Sequence, residues 1–134
     1  LGRYPVDRMP SFYKHADALL VSLKDEPIFA MTIPGKLQSY LAAGIPVLAM
    51  LNGEGAEIVR VSGAGLSCPA GDGLALAAAV RQLADMDIQD RQAMGRRGLA
   101  ISEKEFDRMS LISRLLAWLE ELSVRRPKRG EGAR

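Results

Sequence analysis

A single cysteine, Cys68, leaves no partner within the chain for a disulfide, and a single histidine, His15, leaves no set of soft ligands for a metal site. Aromatic residues are few and scattered, three Phe, three Tyr and one Trp, which provides no stacking platform for single-stranded nucleic acid. No apolar run approaches the ~20 residues of a membrane span, and no signal-peptide pattern opens the chain. The expectation is a cytoplasmic protein with no metal, no cofactor and no nucleic-acid partner. Cys68, within Gly65-Leu66-Ser67-Cys68-Pro69, reads as a small buried hydrophobe rather than a nucleophile.

The 134 residues are 48% hydrophobic and 25% charged, the balance of an ordinary globular chain. That length suits one domain and is short for a two-domain enzyme. The net charge of +2 is unevenly placed, because Arg125, Arg126, Lys128 and Arg129 crowd the end. Residues 1–124 are therefore expected to fold, and 125–134 to form a basic, disordered tail. Such a tail reads first as a solvated end and second as a weak contact with an anionic membrane surface.

The stretch from Thr32 to Leu48 organises the rest. Leu37, Tyr40 and Leu41 recur at helical spacing, Pro34 suits a first helical position, and Gly44 followed by Pro46 stops the helix. Residues 45–51 are then an apolar run predicted as a strand covered on both faces. Proline carries no N–H, so the expected free donors of the first turn are Gly35, Lys36 and Leu37, aimed along the positive end of the helix dipole. Gly35 admits a ligand close to the backbone and Lys36 adds a mobile positive charge, which makes this a candidate anion site. The same residues also read as a plain turn into a helix with a solvated lysine, and a motif without context does not separate the two.

In chain order, residues 1–5 read as the end of a poor strand broken by Pro5, with sheet partners expected upstream. A short helix starting at Asp7 or Pro10 runs through Tyr13, and 16–23 is an apolar strand. A polar loop at 24–27 and an apolar connection at 28–33 lead to the central helix. Residues 52–57 form a glycine-rich turn at the carboxyl end of a parallel strand, the edge where open α/β sheets bind ligands. Glu54 and Glu57 there suit sugar or ribose hydroxyls; equally, they are acids in the first turn of a helix over 56–62, favoured by its dipole. A last strand is predicted at 65–69, then a helix capped by Asp72 with Leu74, Ala77, Ala78, Arg81 and Leu83 dividing it into two faces. Residues 88–99 read as a polar helix with Arg91, Arg96 and Arg97 solvated. Ser102-Glu103-Lys104-Glu105 has capping-box form and is expected to open the longest helix. Its stripe of Met109, Ile112, Leu116, Leu119 and Leu122, widened by Leu111, Leu115 and Trp118, needs another body to cover it. The alternation gives an α/β fold: a Rossmann-like parallel sheet with helices on both faces. About four strands, fewer than the usual ~5–6, make it incomplete at its upstream edge.

Four segments taken together resemble the C-terminal half of a GT-B glycosyltransferase of the family-4 type. They are Leu1-Gly2-Arg3-Tyr4-Pro5 through Met9-Pro10-Ser11-Phe12-Tyr13-Lys14-His15-Ala16-Asp17; Lys36-Leu37-Gln38-Ser39-Tyr40-Leu41-Ala42-Ala43-Gly44-Ile45-Pro46-Val47-Leu48; Gly53-Glu54-Gly55-Ala56-Glu57-Ile58-Val59; and Gly65-Leu66-Ser67-Cys68-Pro69-Ala70-Gly71-Asp72. The subgroup most similar makes bacterial surface polysaccharide (O-antigen or capsule, lipopolysaccharide) and includes enzymes thought to move N-acetyl-fucosamine. The resemblance implies a nucleotide-diphosphate sugar donor, a UDP-sugar by expectation, bound by Met31, Pro34, Gly35, Lys36, Leu37, Gln38, Ser39, Glu54 and Glu57. The wider family carries two glutamates on donor hydroxyls where this chain has Met31 and Ser39. Ser39 and Gln38 retain hydrogen-bonding capacity, whereas Met31 offers only packing. The acceptor site, the catalytic base and an Arg/Lys pair facing the diphosphate belong, by the same resemblance, to parts outside this chain.

The implied function is therefore the donor-binding portion of a metal-independent glycosyltransferase, with no catalytic residue of its own and inactive alone. The alternative is a non-catalytic truncated module that pairs with itself or with a partner subunit. A homodimer or an N-terminal GT-B half is the expected protein partner.

Overall fold

The computed structural model describes residues 3–125. Leu1 and Gly2, and the tail from residue 126 onward, lie outside the described residues. The elements are α1 (Met9–Tyr13), β1 (Leu19–Ser22), α2 (Pro27–Ala30), α3 (Gly35–Ala42), β2 (Val47–Met50), α4 (Glu54–Ser62), β3 (Gly65–Cys68), α5 (Gly73–Asp85), α6 (Ile88–Glu105) and α7 (Arg108–Arg125), with a 3-10 turn at Val6–Arg8 before α1.

The three strands form one parallel sheet in the order β1-β2-β3. Its centre, β2, is buried on both sides because its residues alternate between two cores. Val47 and Ala49 join Val21 of β1 and meet Leu37 and Leu41 of α3 and Val59 of α4. Leu48 points the other way, with Leu66 of β3, onto Ala79 and Leu83 of α5 and Met94 of α6. Helices thus lie on both faces, as the apolar run at 45–51 predicts. The second face is covered only in part: Leu20 of β1 is 47% exposed and Val80 of α5 is 45% exposed. The groups along the outer edge of β1 have no strand beside them among the described residues.

The structure differs from the sequence expectation in five places. Residues 3–5 form no strand, leaving three strands rather than four. Pro5 cannot donate to a ladder, and its carbonyl instead accepts from Arg8 N at 3.0 Å, turning the chain into α1. The apolar connection at 28–33 contains one helical turn, α2, with Pro27 at its start. Leu74 is 87% exposed and takes no part in the core, which α5 enters through Ala79 and Leu83; Asp72 does cap α5, accepting from Ala75 N at 2.8 Å.

The fourth difference concerns α6, which continues to Glu105, so Ser102–Glu105 is its last turn and not the start of α7. Asp107 caps α7 instead, its carboxylate accepting from Ser110 N at 2.7 Å. The reason is Phe106: it packs on the first core together with Ile101, which holds α6 helical through residue 105 and puts the break after it. The fifth concerns the arginines of α6. Arg97 Nε donates to Gly63 O at 2.9 Å, capping the end of α4, and Arg91 donates to Leu83 O and Ala84 O at the end of α5. Cations are favoured at such carbonyl ends. Close approach at small residues makes this packing possible: a Cβ on Gly95 would fall within the carbonyl group of Gly44.

α7 stands apart. Every side chain described from Arg108 to Val124 is exposed, among them Leu115 at 52%, Trp118 at 57% and Leu119 at 52%. The broad apolar face expected there is uncovered. Among the described residues no helix is long and apolar enough to cross a membrane.

Candidate functional site

The loops after the three strands, 23–34, 51–53 and 69–72, lie at the carboxyl edge of the sheet, and α3, α4 and α5 start from them. Their first turns therefore present N–H groups at one edge. The starts of α3 and α4 also touch. Gly55 packs so closely that a Cβ there would stand 3.3 Å from Leu37 Cδ2 and 3.4 Å from Pro34 Cδ. The turn between β2 and α4 is pressed against α2 in the same way. Gly53 has φ +78°, and a Cβ on it would fall inside the carbonyl group of Ala30, so only glycine fits.

Pro34 is the N-cap of α3 and not its first helical residue, with extended backbone (φ −61°, ψ 135°). Its carbonyl accepts from Leu37 N at 2.9 Å and Gln38 N at 3.3 Å. The expected trio of free donors is thereby reduced to Gly35 and Lys36, whose N–H groups have no acceptor among the described residues. Leu37 is fully buried and its side chain belongs to the core. Gly35 faces open space, since a Cβ there would meet nothing within 4 Å. The Lys36 ammonium forms no ion pair among the described residues.

The other expected residues fall on different sides of this point. Met31 is 81% exposed just beyond α2. Ser39 donates its hydroxyl proton to Gly35 O at 3.1 Å and faces a cavity of about 470 Å³ between α1 and α3, lined also by Met9, Tyr13 and Lys14. Glu54 and Glu57 line a separate cavity of about 490 Å³ whose floor is Ile33, Ile58, Ile101 and Phe106. Glu54 has no hydrogen-bond partner among the described residues, but Glu57 is bound by Arg60, whose Nε donates at 3.0 Å and whose second nitrogen donates to the other oxygen. The hydrogen bond from Arg60 holds the Glu57 carboxyl below the usual range. Glu57 thus serves the α4 helix first, and only Glu54 remains an open acceptor.

Two features escaped the sequence reading. Asn52 bridges the loops, donating from Nδ2 to Asp25 Oδ1 at 2.8 Å and accepting at Oδ1 from Ala70 N at 3.1 Å. An Asn at the mouth of a glycine turn is a local signal for such bonding, but its remote partners are not visible in one dimension. Tyr13 and Tyr40 meet edge to face at 5.5 Å, tying α1 to α3; burial, with Tyr13 beside it, raises the Tyr40 phenol pKa.

The charge balance of this edge limits what it can hold. The carboxylates of Asp25, Glu26, Glu54, Glu57 and Asp72 outnumber the cations Lys24, Lys36 and Arg60, and Arg60 is engaged by Glu57. Anion binding here rests on backbone N–H groups and two lysines, Lys24 and Lys36, neither of which is ion-paired among the described residues. Among the described residues no group of three His, Cys, Asp or Glu side chains is placed to hold a metal ion. Cys68 is buried, and that burial pushes its thiol pKa up, the behaviour of an inert core residue.

Comparison with known proteins meets this geometry at the same segments. A family model described as "Glycosyl transferases group 1" matches residues 1–86, which include all three strands, α3 and α4. A probable glycosyltransferase WbjE from Pseudomonas aeruginosa is 31% identical over 108 residues. That match takes in 78% of this chain and 26% of WbjE, so the chain spans about a quarter of the length of this relative. No solved structure matches. With the family match running through the sheet and both helix starts, the chain belongs to the group 1 glycosyl transferases.

Proposed function

We propose that this chain is the nucleotide-diphosphate-sugar donor-binding portion of a glycosyltransferase that acts in surface-polysaccharide biosynthesis. The observation that carries the reading is the start of α3, where Gly35 and Lys36 carry two unpartnered N–H groups beside an unpaired ammonium, with open space around the α-carbon of Gly35. Those donors and the helix dipole suit the diphosphate, stabilising the charge that grows on the leaving group as the sugar is transferred. Glu54, on the adjoining helix start, is the residue available to sugar or ribose hydroxyls; Gln38 and Met31 flank the same region. The acidic surplus of the edge means that this chain supplies only part of the stabilisation, the remainder coming from cations elsewhere in the whole enzyme. The match to the probable glycosyltransferase WbjE supports a transferase role; the UDP-sugar donor and N-acetyl-fucosamine as its sugar are proposed from the sequence resemblance alone.

Calorimetric titration of the 134-residue chain with UDP, UDP-N-acetylglucosamine and GDP tests the proposal. Submillimolar binding of one of them supports it. If none binds the chain, nor a longer form restoring the length of its relative, the donor reading is wrong.

A second reading is favoured by α7. Its uncovered face, with Leu115, Leu116, Trp118 and Leu119 all more than half exposed, suits a module that pairs with a second copy or with an N-terminal GT-B half. Sedimentation at high micromolar concentration tests the homodimer: a monodisperse monomer opposes it. Contact of the basic tail with an anionic membrane surface is a further proposal, opposed if removing residues 125–134 leaves vesicle binding unchanged.

A further inference from the structure

Among the described residues one side chain, Asn52, hydrogen-bonds across the loops of the carboxyl edge. The sheet ladder ends at Leu23 N to Met50 O, 3.1 Å, and Leu51 N to Cys68 O, 3.2 Å. Beyond those bonds the three loops share no backbone hydrogen bond among the described residues. Asn52 continues the tie one step further, reaching Asp25 in the loop after β1 and Ala70 in the loop after β3 from its own place after β2. No other side chain among the described residues hydrogen-bonds between these loops. The amide orientation is set by its partners: a carboxylate only accepts and a backbone N–H only donates, so Nδ2 faces Asp25 and Oδ1 faces Ala70. Asn52 is half-buried: its bond from Ala70 N is partly buried, whereas its bond to Asp25 lies at the exposed surface.

We infer that Asn52 is a positioning residue for the donor site, fixing the spacing of the helix starts by clamping the loops they grow from. The inference rests on the donor reading given above. The neighbouring glycine makes the clamp rigid. Gly53 is seated against the Ala30 carbonyl and Gly55 against Pro34 and Leu37, so the segment from 52 to 55 engages α2, α3 and both outer loops together. A donor whose diphosphate is bound by the N–H groups of Gly35 and Lys36 and whose hydroxyls reach Glu54 on α4 needs those two helix starts at one separation. A displacement of the loops by about 1 Å is enough to weaken such a site strongly. Asn52 does this through the loops it joins.

The test exchanges the two partners. Asn52→Asp sets a second carboxylate against Asp25 while keeping an acceptor for Ala70 N–H. Adding Asp25→Asn restores the bridge with the roles reversed, the new amide donating to the new carboxylate. UDP affinity, the thermal midpoint and the exchange rate of the Ala70 amide are measured for the full chain, Asn52→Ala, Asn52→Asp, Asp25→Asn and the pair. The expected result is a loss of about tenfold in affinity in Asn52→Ala, which removes the bridge without adding charge, and at least as much in Asn52→Asp, the scale of one charged hydrogen bond. The folded state should persist, and the paired variant should recover the affinity. If the wild-type chain binds UDP and Asn52→Asp binds it equally well, or the pair fails to recover while remaining folded, the inference is overturned. If the wild-type chain does not bind UDP, the donor reading fails on its own and Ala70 exchange decides the clamp. In that case faster exchange in Asn52→Ala supports it, and an unchanged rate overturns it.

Discussion

Replacing Gly35 with aspartate separates an anion site from a plain turn, because only the anion site loses affinity while both readings agree on stability. Gly35 is the first residue of α3, its φ is not positive, and a side chain there meets nothing within 4 Å. The variant therefore has no steric reason to unfold. A carboxylate in a first helical turn interacts favourably with the dipole by about 0.3–1 kcal/mol, and removing a helical glycine adds roughly 0.5–1 kcal/mol. Gly35→Asp should unfold at the same temperature as the wild type or higher. Against a bound phosphate the same carboxylate is repulsive. Two unit charges at 4 Å interact by about 4 kcal/mol at a surface-like dielectric, and salt and exposure reduce this. A residual of about 1.4 kcal/mol is already a tenfold loss of affinity. Titration calorimetry with UDP at low and high salt, beside thermal unfolding, reads both quantities. Gly35→Ala is the control and should bind as the wild type does. Equal UDP affinity in Gly35→Asp and wild type would refute the placement of the anion at the start of α3.

Gly53→Ala should be severely destabilising, by roughly 2 kcal/mol or more, because it combines left-handed backbone with a Cβ inside the Ala30 carbonyl; denaturant unfolding indistinguishable from wild type would contradict that contact. Asp107→Ala should cost about 1 kcal/mol of helix stability through loss of the α7 cap, read as reduced helicity by circular dichroism, whereas Ser102→Ala should change little. Glu57 has a folded pKa depressed from 4.5 by Arg60, so its contribution is present above the ordinary carboxylate value and lost as pH falls through the folded one. The unfolding midpoints of wild type and Glu57→Gln should differ most near neutrality and converge in acid; a gap that persists in acid would contradict the pairing.

Much of the core was legible from periodicity. Leu37 and Leu41, four residues apart, are both fully buried, and the apolar run after Pro46 is the doubly covered central strand. The Asp72 cap and the end of α4 at Gly63, with φ +64°, follow from local turn chemistry. What was not legible depended on contacts distant in sequence. Ser102 and Glu105 have the form of a helix start, but the packing of Ile101 and Phe106 on the first core carries α6 through them. Leu74 has an apolar side chain, yet at roughly 100° per residue it lies about 180° round α5 from the buried Leu83, on the side away from the core. At the site, the composition of residues 34–36 indicated the helix start, but the bond from Leu37 N to Pro34 O is a matter of turn geometry. The Asn52 bridge required knowing that loops 27 and 18 residues away along the chain meet at one edge.

The central claim, that a nucleotide diphosphate binds at the start of α3, is tested most directly by following the backbone amides of the full chain by NMR as UDP is added. The account expects the largest shifts at Gly35 and Lys36, saturating together, with Leu37 little affected because its N–H is already bonded to Pro34. Shifts confined to the Tyr13 and Ser39 cavity, or no saturable shift at Gly35 and Lys36 while UDP binds, would contradict it.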